Sequence, residues 1–413
     1  MRSYLIIIAF FSFGLSNAQL YHGFAIDSNF QDKKLVIDFQ TEDYYGTLNI
    51  QNIMIDRFAF GGYIDQHTKD LTSHKLTQNN RLGGETYSQI TFYDYKTNLF
   101  KKERLGYYLG IGYRNYVNGN ITQDVFNLAM YGNAPYLNQE LNLNNTRLQN
   151  LAYWKLNFGF FDKKYGSGGN ISFLYGNRFI KGELENGSFY ANDEIVNLKG
   201  NGQVSFSDGS KNGLGAFNGW GVSVDFNWNI PINWFKTKAI IQLKAENIGF
   251  ISWNKGTTTY AVDSTYSFYG FDFSDIINGN SALNNETDWM DSLNVKETKG
   301  NVMTWIPARI TFAKVIDQFS ERKLQSTFGV RMITTRDYFP QIFAGVYYRP
   351  VNWFAVGATL RYGGFDSFDG GLRLDFMAKD FFAISISTAS VYGTFSNKGY
   401  GRSINVGIRG TIK

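Results

Sequence analysis

The chain contains no cysteine. That excludes a disulfide framework, a thiolate metal site and a lipid-anchored lipoprotein, which needs a cysteine at its cleavage site. Proline is scarce, 5 in 413 residues, so little stands in the way of long strands. Histidine is limited to His22, His67 and His74, read as solvated side chains rather than catalytic bases. No Gly-x-Ser-x-Gly elbow and no His-Glu-x-x-His helix is present. The acids Asp263, Asp272, Asp275, Asp288 and Asp291 match no calcium-loop spacing. The expectation is no enzyme, with no catalytic, metal or cofactor-binding residue. A net charge of +5 without a dense Lys/Arg cluster gives no footing for nucleic acid.

Long apolar runs are also missing, with one short exception. Leu5–Leu15 follows Arg2 and precedes Ser16-Asn17-Ala18, the pattern of a signal peptide over 1–18 cleaved near Ala18. Eleven residues fall short of the ~20 that a membrane-spanning helix needs. The mature chain is expected to be exported without a helical anchor.

What is abundant is strand material. Phe, Tyr and Trp make up 17% of the chain and Gly accounts for 43 residues, while mean hydropathy is only −0.27. Near the C-terminus three blocks alternate strictly. Phe354, Val356, Ala358, Leu360 and Tyr362 stand against Ala355, Gly357, Thr359 and Arg361. Leu372, Leu374 and Phe376 oppose Arg373, Asp375 and Met377; Ile404, Val406, Ile408 and Ile412 oppose Ser403, Asn405, Arg409 and Thr411. A period of two gives each block one greasy and one polar face. A soluble sandwich turns the greasy face inward, a membrane barrel turns it toward lipid.

Alternating blocks fall near 57–65, 86–96, 106–115, 153–161, 169–178, 219–230, 238–247, 306–315, 324–333, 340–349, 353–362, 369–378, 381–390 and 402–412. Weaker blocks at 34–40 and 44–51 read as further strands or as a segment inside the barrel. This predicts an all-β, transmembrane antiparallel β-barrel of about fourteen strands (range 12–16), spanning 57–413 after an N-terminal segment 19–56 that is either a plug or two strands. Connection lengths sort by parity. Those longer than about ten residues, including 116–152, 179–218 and 248–305, fall on one side, as in outer-membrane barrels. Pro231-Ile-Asn-Trp234-Phe recurs as Pro350-Val-Asn-Trp353-Phe354 on the short-turn side. Pro and Asn make the turn and the rings suit the headgroup level, so Trp228, Trp234, Trp353 and Phe354 form a candidate aromatic girdle. The 248–305 loop, rich in rings (Tyr260, Tyr266, Phe268, Tyr269, Phe271, Phe273, Trp289), is expected to fold over the mouth or onto its neighbours, with a surface partner as the alternative.

Several motifs resemble a known family. Gly213-Leu-Gly-Ala-Phe-Asn-Gly-Trp-Gly221, Asn247-Ile-Gly-Phe-Ile-Ser-Trp-Asn254, Tyr260-Ala-Val-Asp-Ser-Thr-Tyr266 and Ser172-Phe-Leu-Tyr-Gly-Asn-Arg178 are similar to a Bacteroidota outer-membrane family catalogued as a domain of unknown function. The resemblance covers roughly residue 100 to the end. It implies a barrel broadly similar to the long-chain fatty-acid transporter group, and it supplies no activity. An Asn-Pro-Ala segment associated with such proteins is replaced by Ser28-Asn-Phe-Gln-Asp32, and the chain ends Thr411-Ile412-Lys413 without the usual terminal aromatic.

In the inward register stand Asp225, Lys244, Glu246, Arg309, Arg331, Arg361, Arg373, Asp375 and Arg409. Five arginines among them predict a positive lumen that favours anions or carboxylate head groups. The alternative is a network of ion pairs filling a narrow interior. The expected setting is the outer membrane of a Gram-negative bacterium, with lipids and the barrel-insertion machinery as partners. The role is passage or capture of a small, anionic or amphipathic molecule, or else a structural barrel whose outer loops serve a surface assembly.

Overall fold

A computed structural model describes residues 34–211, 213–234, 237–268, 295–316, 322–378 and 381–412. The expected signal peptide, 1–18, and the whole 19–33 stretch lie outside these residues. The strands are β1 (Leu35–Thr47), β2 (Asn80–Asp94), β3 (Leu105–Ile121), β4 (Glu140–Asn142), β5 (Thr146–Asp162), β6 (Gly168–Ala191), β7 (Val196–Phe206), β8 (Gly219–Trp234), β9 (Thr237–Trp253) and β10 (Thr258–Phe268). They continue with β11 (Lys296–Lys299), β12 (Val302–Trp305), β13 (Arg309–Val315), β14 (Leu324–Ile333), β15 (Phe339–Val351), β16 (Phe354–Gly364), β17 (Phe368–Ala378), β18 (Phe382–Thr388) and β19 (Gly401–Ile412).

Fourteen of them, β1, β2, β3, β5, β6, β8, β9 and β13–β19, pair antiparallel in that order. β19 returns to β1, Ile412 opposite Leu35 and Gly401 opposite Gly46, and closes the ring. Closure leaves no free edge in the wall, which is what allows strands to cross a bilayer.

The alternation is turned inside out relative to a soluble core. On β16, Leu360 is 58% exposed on the outer face while the next residue, Arg361, is 2% exposed inside. On β5, Phe158 is 61% exposed and Asn157 is 2%. Ile171, Val222, Phe312, Ile342 and Leu372 extend this greasy exterior around the wall. A soluble monomer rarely shows an apolar patch beyond a few hundred Å². The barrel is built to be solvated by lipid.

Connections at the end where β1 begins and β19 ends are short, among them 163–167 between β5 and β6 and the Asn352-Trp353 turn between β15 and β16. The opposite end carries the long ones. There, helices α1 (Asn52–Phe60), α2 (Gln66–Ser73) and α3 (Gln123–Tyr131) pack around Met54, Leu76 and Phe126, and α4 (Val391–Phe395) lies between β18 and β19. Beyond the wall, β6 continues to Ala191 and forms an outer sheet with β4, β7, β10 and β11.

Three expectations are corrected. Residues 57–65 do not form a strand: Asn52–Phe60 is helical and buries Met54 among other helices. The blocks 34–40 and 44–51 belong to one strand, β1, so the wall begins at Leu35 rather than at 57. Thr41-Glu42-Asp43 looks like a break, yet a wall with a polar inside accepts Glu42 without ending the strand. The stretches 179–218 and 248–305 are not loops throughout, because β7 and β10 pair across eleven registers. Tyr260 packs on Phe206 there (centroids 5.8 Å), whereas Tyr269, Phe271, Phe273 and Trp289 lie outside the described residues.

Candidate functional site: the barrel lumen

Inward positions divide the lumen into three levels. In the middle lies a cluster of ions. Glu85 of β2 pairs with both Arg114 of β3 and Arg309 of β13, and Arg309 Nη1 lies 3.8 Å from Glu42 and 3.9 Å from Glu246. Lys244 Nζ stands 3.0 Å from Glu246. The Arg114 guanidinium lies over the Tyr87 ring at 4.1 Å, and Arg331 lies over Phe343 at 5.8 Å. Burying such charges is tolerable only because each is met by opposite charge or a ring.

Around this cluster the remaining inward ions also meet carboxylates. Arg361 binds both oxygens of Asp366, at 3.0 and 2.5 Å, and donates to the Ala389 carbonyl. Arg373 Nε reaches Asp375 at 2.9 Å, and Tyr347 donates to the same carboxylate. Arg409 donates to Asp38 at 2.8 Å. Lys155 donates to Asp225 at 2.6 Å and to Asn247 Oδ1 at 2.9 Å. Asp225 sits at a bulge between β8 and β9, where it accepts the Asn247 backbone N–H that the ladder leaves over.

All nine polar residues singled out from the sequence therefore lie on the inner side, Lys244, Glu246, Arg309 and Arg331 in the central cluster and the others in separate pairs around it. The expected positive lumen is corrected. Asp38, Glu42, Glu85 and Asp366, which the alternation did not single out, match the arginines, so the interior has no evident surplus to draw anions. The girdle residues Trp228, Trp234 and Trp353 are on the outside, with Trp234 against Phe328 and Trp353 against Phe354. His67 lies in α2 and His74 just after it, both away from the lumen.

The long-loop level is blocked. The β16–β17 connection turns inward on Gly363 (φ +99°) and Gly364 (φ +92°), a conformation that suits glycine, and delivers Phe365 into a ring of Tyr44, Tyr116, Ile333 and Tyr338. Phe365 is 1% exposed, and Tyr338 meets it edge-on at 5.1 Å. A Cβ on Gly83 would stand 2.3 Å from the Phe365 ring, so that glycine makes room for the plug. From the far wall Arg81 donates to the carbonyls of Gly364, Phe365 and Asp366 at 3.1, 3.2 and 2.7 Å. The loop is latched.

The short-turn level holds space. A cavity of about 250 Å³ runs from the turns at Tyr95 and Gly166 up to Arg114, Glu246 and Arg331. Small residues such as Gly168 stand at inward positions here, and one side is a ring cluster of Tyr93, Tyr108 and Phe161. The chamber ends at the ion cluster.

A family model described as "Family of unknown function (DUF5723)" matches residues 45–385. No curated protein matches the chain by sequence. Among solved structures the chain is similar to the TodX deltaS2S3 mutant monoaromatic hydrocarbon channel (8% identity, 94% of this chain and 93% of that one, TM-score 0.45). It is also similar to the Ralstonia pickettii toluene transporter TbuX (9%, 95% and 96%, TM-score 0.42) and to a Pseudomonas aeruginosa FadL homologue (10%, 94% and 94%, TM-score 0.25).

Proposed function

Since the chain belongs to that family of unknown function, its own lumen has to carry the reading, and we propose gated passage of a small molecule across the outer membrane. The observation that carries this is the asymmetry of the lumen. A chamber opens at one end and is stopped by an ion cluster and by a loop-borne aromatic plug at the other. A purely structural barrel has no need of a cavity that stops short of a latched loop. In the orientation usual for outer-membrane barrels the short turns face the periplasm and the plug faces outward. Lipids cover the greasy belt, the rings of Trp228, Trp234 and Trp353 mark its edge, and no catalytic step is assigned. The route needs the 363–367 loop to leave the lumen, since Phe365 fills it.

The test is current through planar bilayers together with solute flux into liposomes. The unmodified barrel should be nearly silent. Replacing both Phe365 and Tyr338 by Ala should produce steady conductance in a barrel that still folds, as shown by heat-modifiable migration on gels. A folded double variant as silent as the parent would remove the gating reading. It would favour the second one, a scaffold presenting the outer sheet of β6, β7 and β10 to a surface partner.

A further inference from the structure

The Gly213–Gly221 motif takes no part in the lumen. Its first half lies in the connection between β7 and β8 and runs over the outside of the wall. Beneath it is a row of rings on the lipid side. Tyr113, Trp154, Tyr175 and Trp220 stand opposite one another across β3, β5, β6 and β8. Trp154 shares its face with the exposed Leu156 and Phe158, and Tyr175 shares its face with the exposed Ile171 and Phe173. The Tyr113 and Trp154 rings are 5.2 Å apart. Such a row, at the long-loop end of the greasy belt, marks where the hydrocarbon ends.

The segment is tied to this face through its backbone. Trp154 Nε1 donates to the Leu214 carbonyl at 2.8 Å, and the Tyr175 hydroxyl donates to the Gly215 carbonyl at 2.8 Å. Asn177 Nδ2 donates to the carbonyls of Gly213 and Ala216, at 2.6 and 3.1 Å, and Asn254 Nδ2 to that of Phe217 at 3.4 Å. Five successive carbonyls are thereby met by side chains of the barrel. In water a loop needs no such provision; irregular backbone beside lipid has to find its partners within the protein. Gly213 takes φ +97°, which turns the chain onto the wall.

The apolar side chains of the segment stay uncovered. Leu214 is 46% and Phe217 43% exposed, with Phe217 resting on Tyr175 at 4.9 Å. With Trp220 they form an apolar surface that continues into Val222, Val224 and Ile171 of the belt. We propose that residues 213–217 are a strap lying in the long-loop edge of the bilayer, where Leu214 and Phe217 take the acyl chains of membrane lipid. Lipid contact then extends beyond the strands on this flank. The outer sheet, whose strand β7 leads into the strap, is held by it at the membrane surface.

A chain without cysteine allows a clean test by single reporters. Leu214→Cys and Phe217→Cys, each labelled with bimane, are folded into phosphatidylcholine liposomes. Leu156→Cys serves as the belt reference and Asn201→Cys, on the outer sheet, as the aqueous one. All four positions lie outside the lumen, and heat-modifiable migration reports folding. Chain-brominated phosphatidylcholine quenches from the lipid and iodide from the water. Bromolipid should quench the labels at 214 and 217 to within about twofold of the label at 156, as expected for side chains at the acyl boundary. Iodide should quench them far less than the label at 201. Trp154→Phe with Tyr175→Phe keeps both rings but removes two donors, and should raise iodide quenching at 214 at least about threefold while leaving 156 unchanged. Three results would overturn the proposal. One is iodide quenching at 214 and 217 as strong as at 201. Another is protection from both quenchers, the mark of a second copy of the chain seated on the strap. The third is an unchanged iodide signal in the donor variant. Conductance plays no part in these readouts, so the strap and the gate stand or fall separately.

Discussion

The two halves of the lumen are walled by the same strands and the same alternation, yet one is full and the other hollow. In the long-loop half, inward positions carry Tyr44, Tyr116 and Tyr338, and the β16–β17 loop adds Phe365 from above. In the short-turn half inward positions such as Gly168, Thr91 and Thr311 are small, and a cavity remains between them. Strand pattern decides which face is wet. Whether the wet side is open depends on residue size and on loops, neither of which the period reports.

The ion cluster divides the halves, and the largest effect is expected there. Arg309→Met would leave Glu85, Glu42 and Glu246 facing one another without their shared partner. Removing one side of a buried ion network typically costs 3–5 kcal/mol, so a loss of about 4 kcal/mol is expected in urea unfolding from lipid vesicles. A loss below about 1 kcal/mol would mean that water already reaches the cluster, and the lumen would then be hollow past its middle.

The latch comes second. Arg81→Ala removes a guanidinium that donates to three successive carbonyls of the 364–366 segment. Bonds to a charged donor are worth ~1.5–3 kcal/mol in total effect when lost together with their geometry, and about 2 kcal/mol is expected. Stability should fall while the greasy belt is untouched. Protease sensitivity near Gly363 and Gly364 should rise with it. Unchanged sensitivity would show that Phe365 holds itself in place by packing alone.

The sequence was readable where contrast was high. On β16, β17 and β19 a charged or small inward residue alternates with a large apolar one, so Arg361, Arg373, Asp375 and Arg409 could be assigned to the interior by parity. On β2 the signal fades, because Thr86 and Ser88 on the outer face are as polar as Glu85 and Tyr87 on the inner. Glu85 went unnoticed for that reason, and with it the balance of charge. Glu42 was lost to a different ambiguity: Thr41-Glu42-Asp43 reads as a turn unless its partner Arg309, far along the chain, is known. Phe365 had one local clue, the Gly363-Gly364 pair before it, but a double glycine marks a bend without saying where the bend points.

The smallest expected effect is the sharpest test of the contrast between the halves. Thr91 is buried on the inner face of β2, and its hydroxyl accepts from Gln89 at 2.8 Å. In the long-loop half, truncating an inward side chain opens a void among rings, which nothing polar can fill. At Thr91 the neighbouring space is a polar cavity, roomy enough for water to take the place of the lost hydroxyl as a partner for Gln89. Water-mediated bonds are nearly as favourable as direct ones, so Thr91→Ala should cost only about 0.5 kcal/mol. A cost of about 2 kcal/mol, as expected for an unsatisfied buried group, would mean that the chamber is dry and closed around its wall. In that case the two halves would differ in size alone, and the short-turn half would offer no solvated seat for a guest.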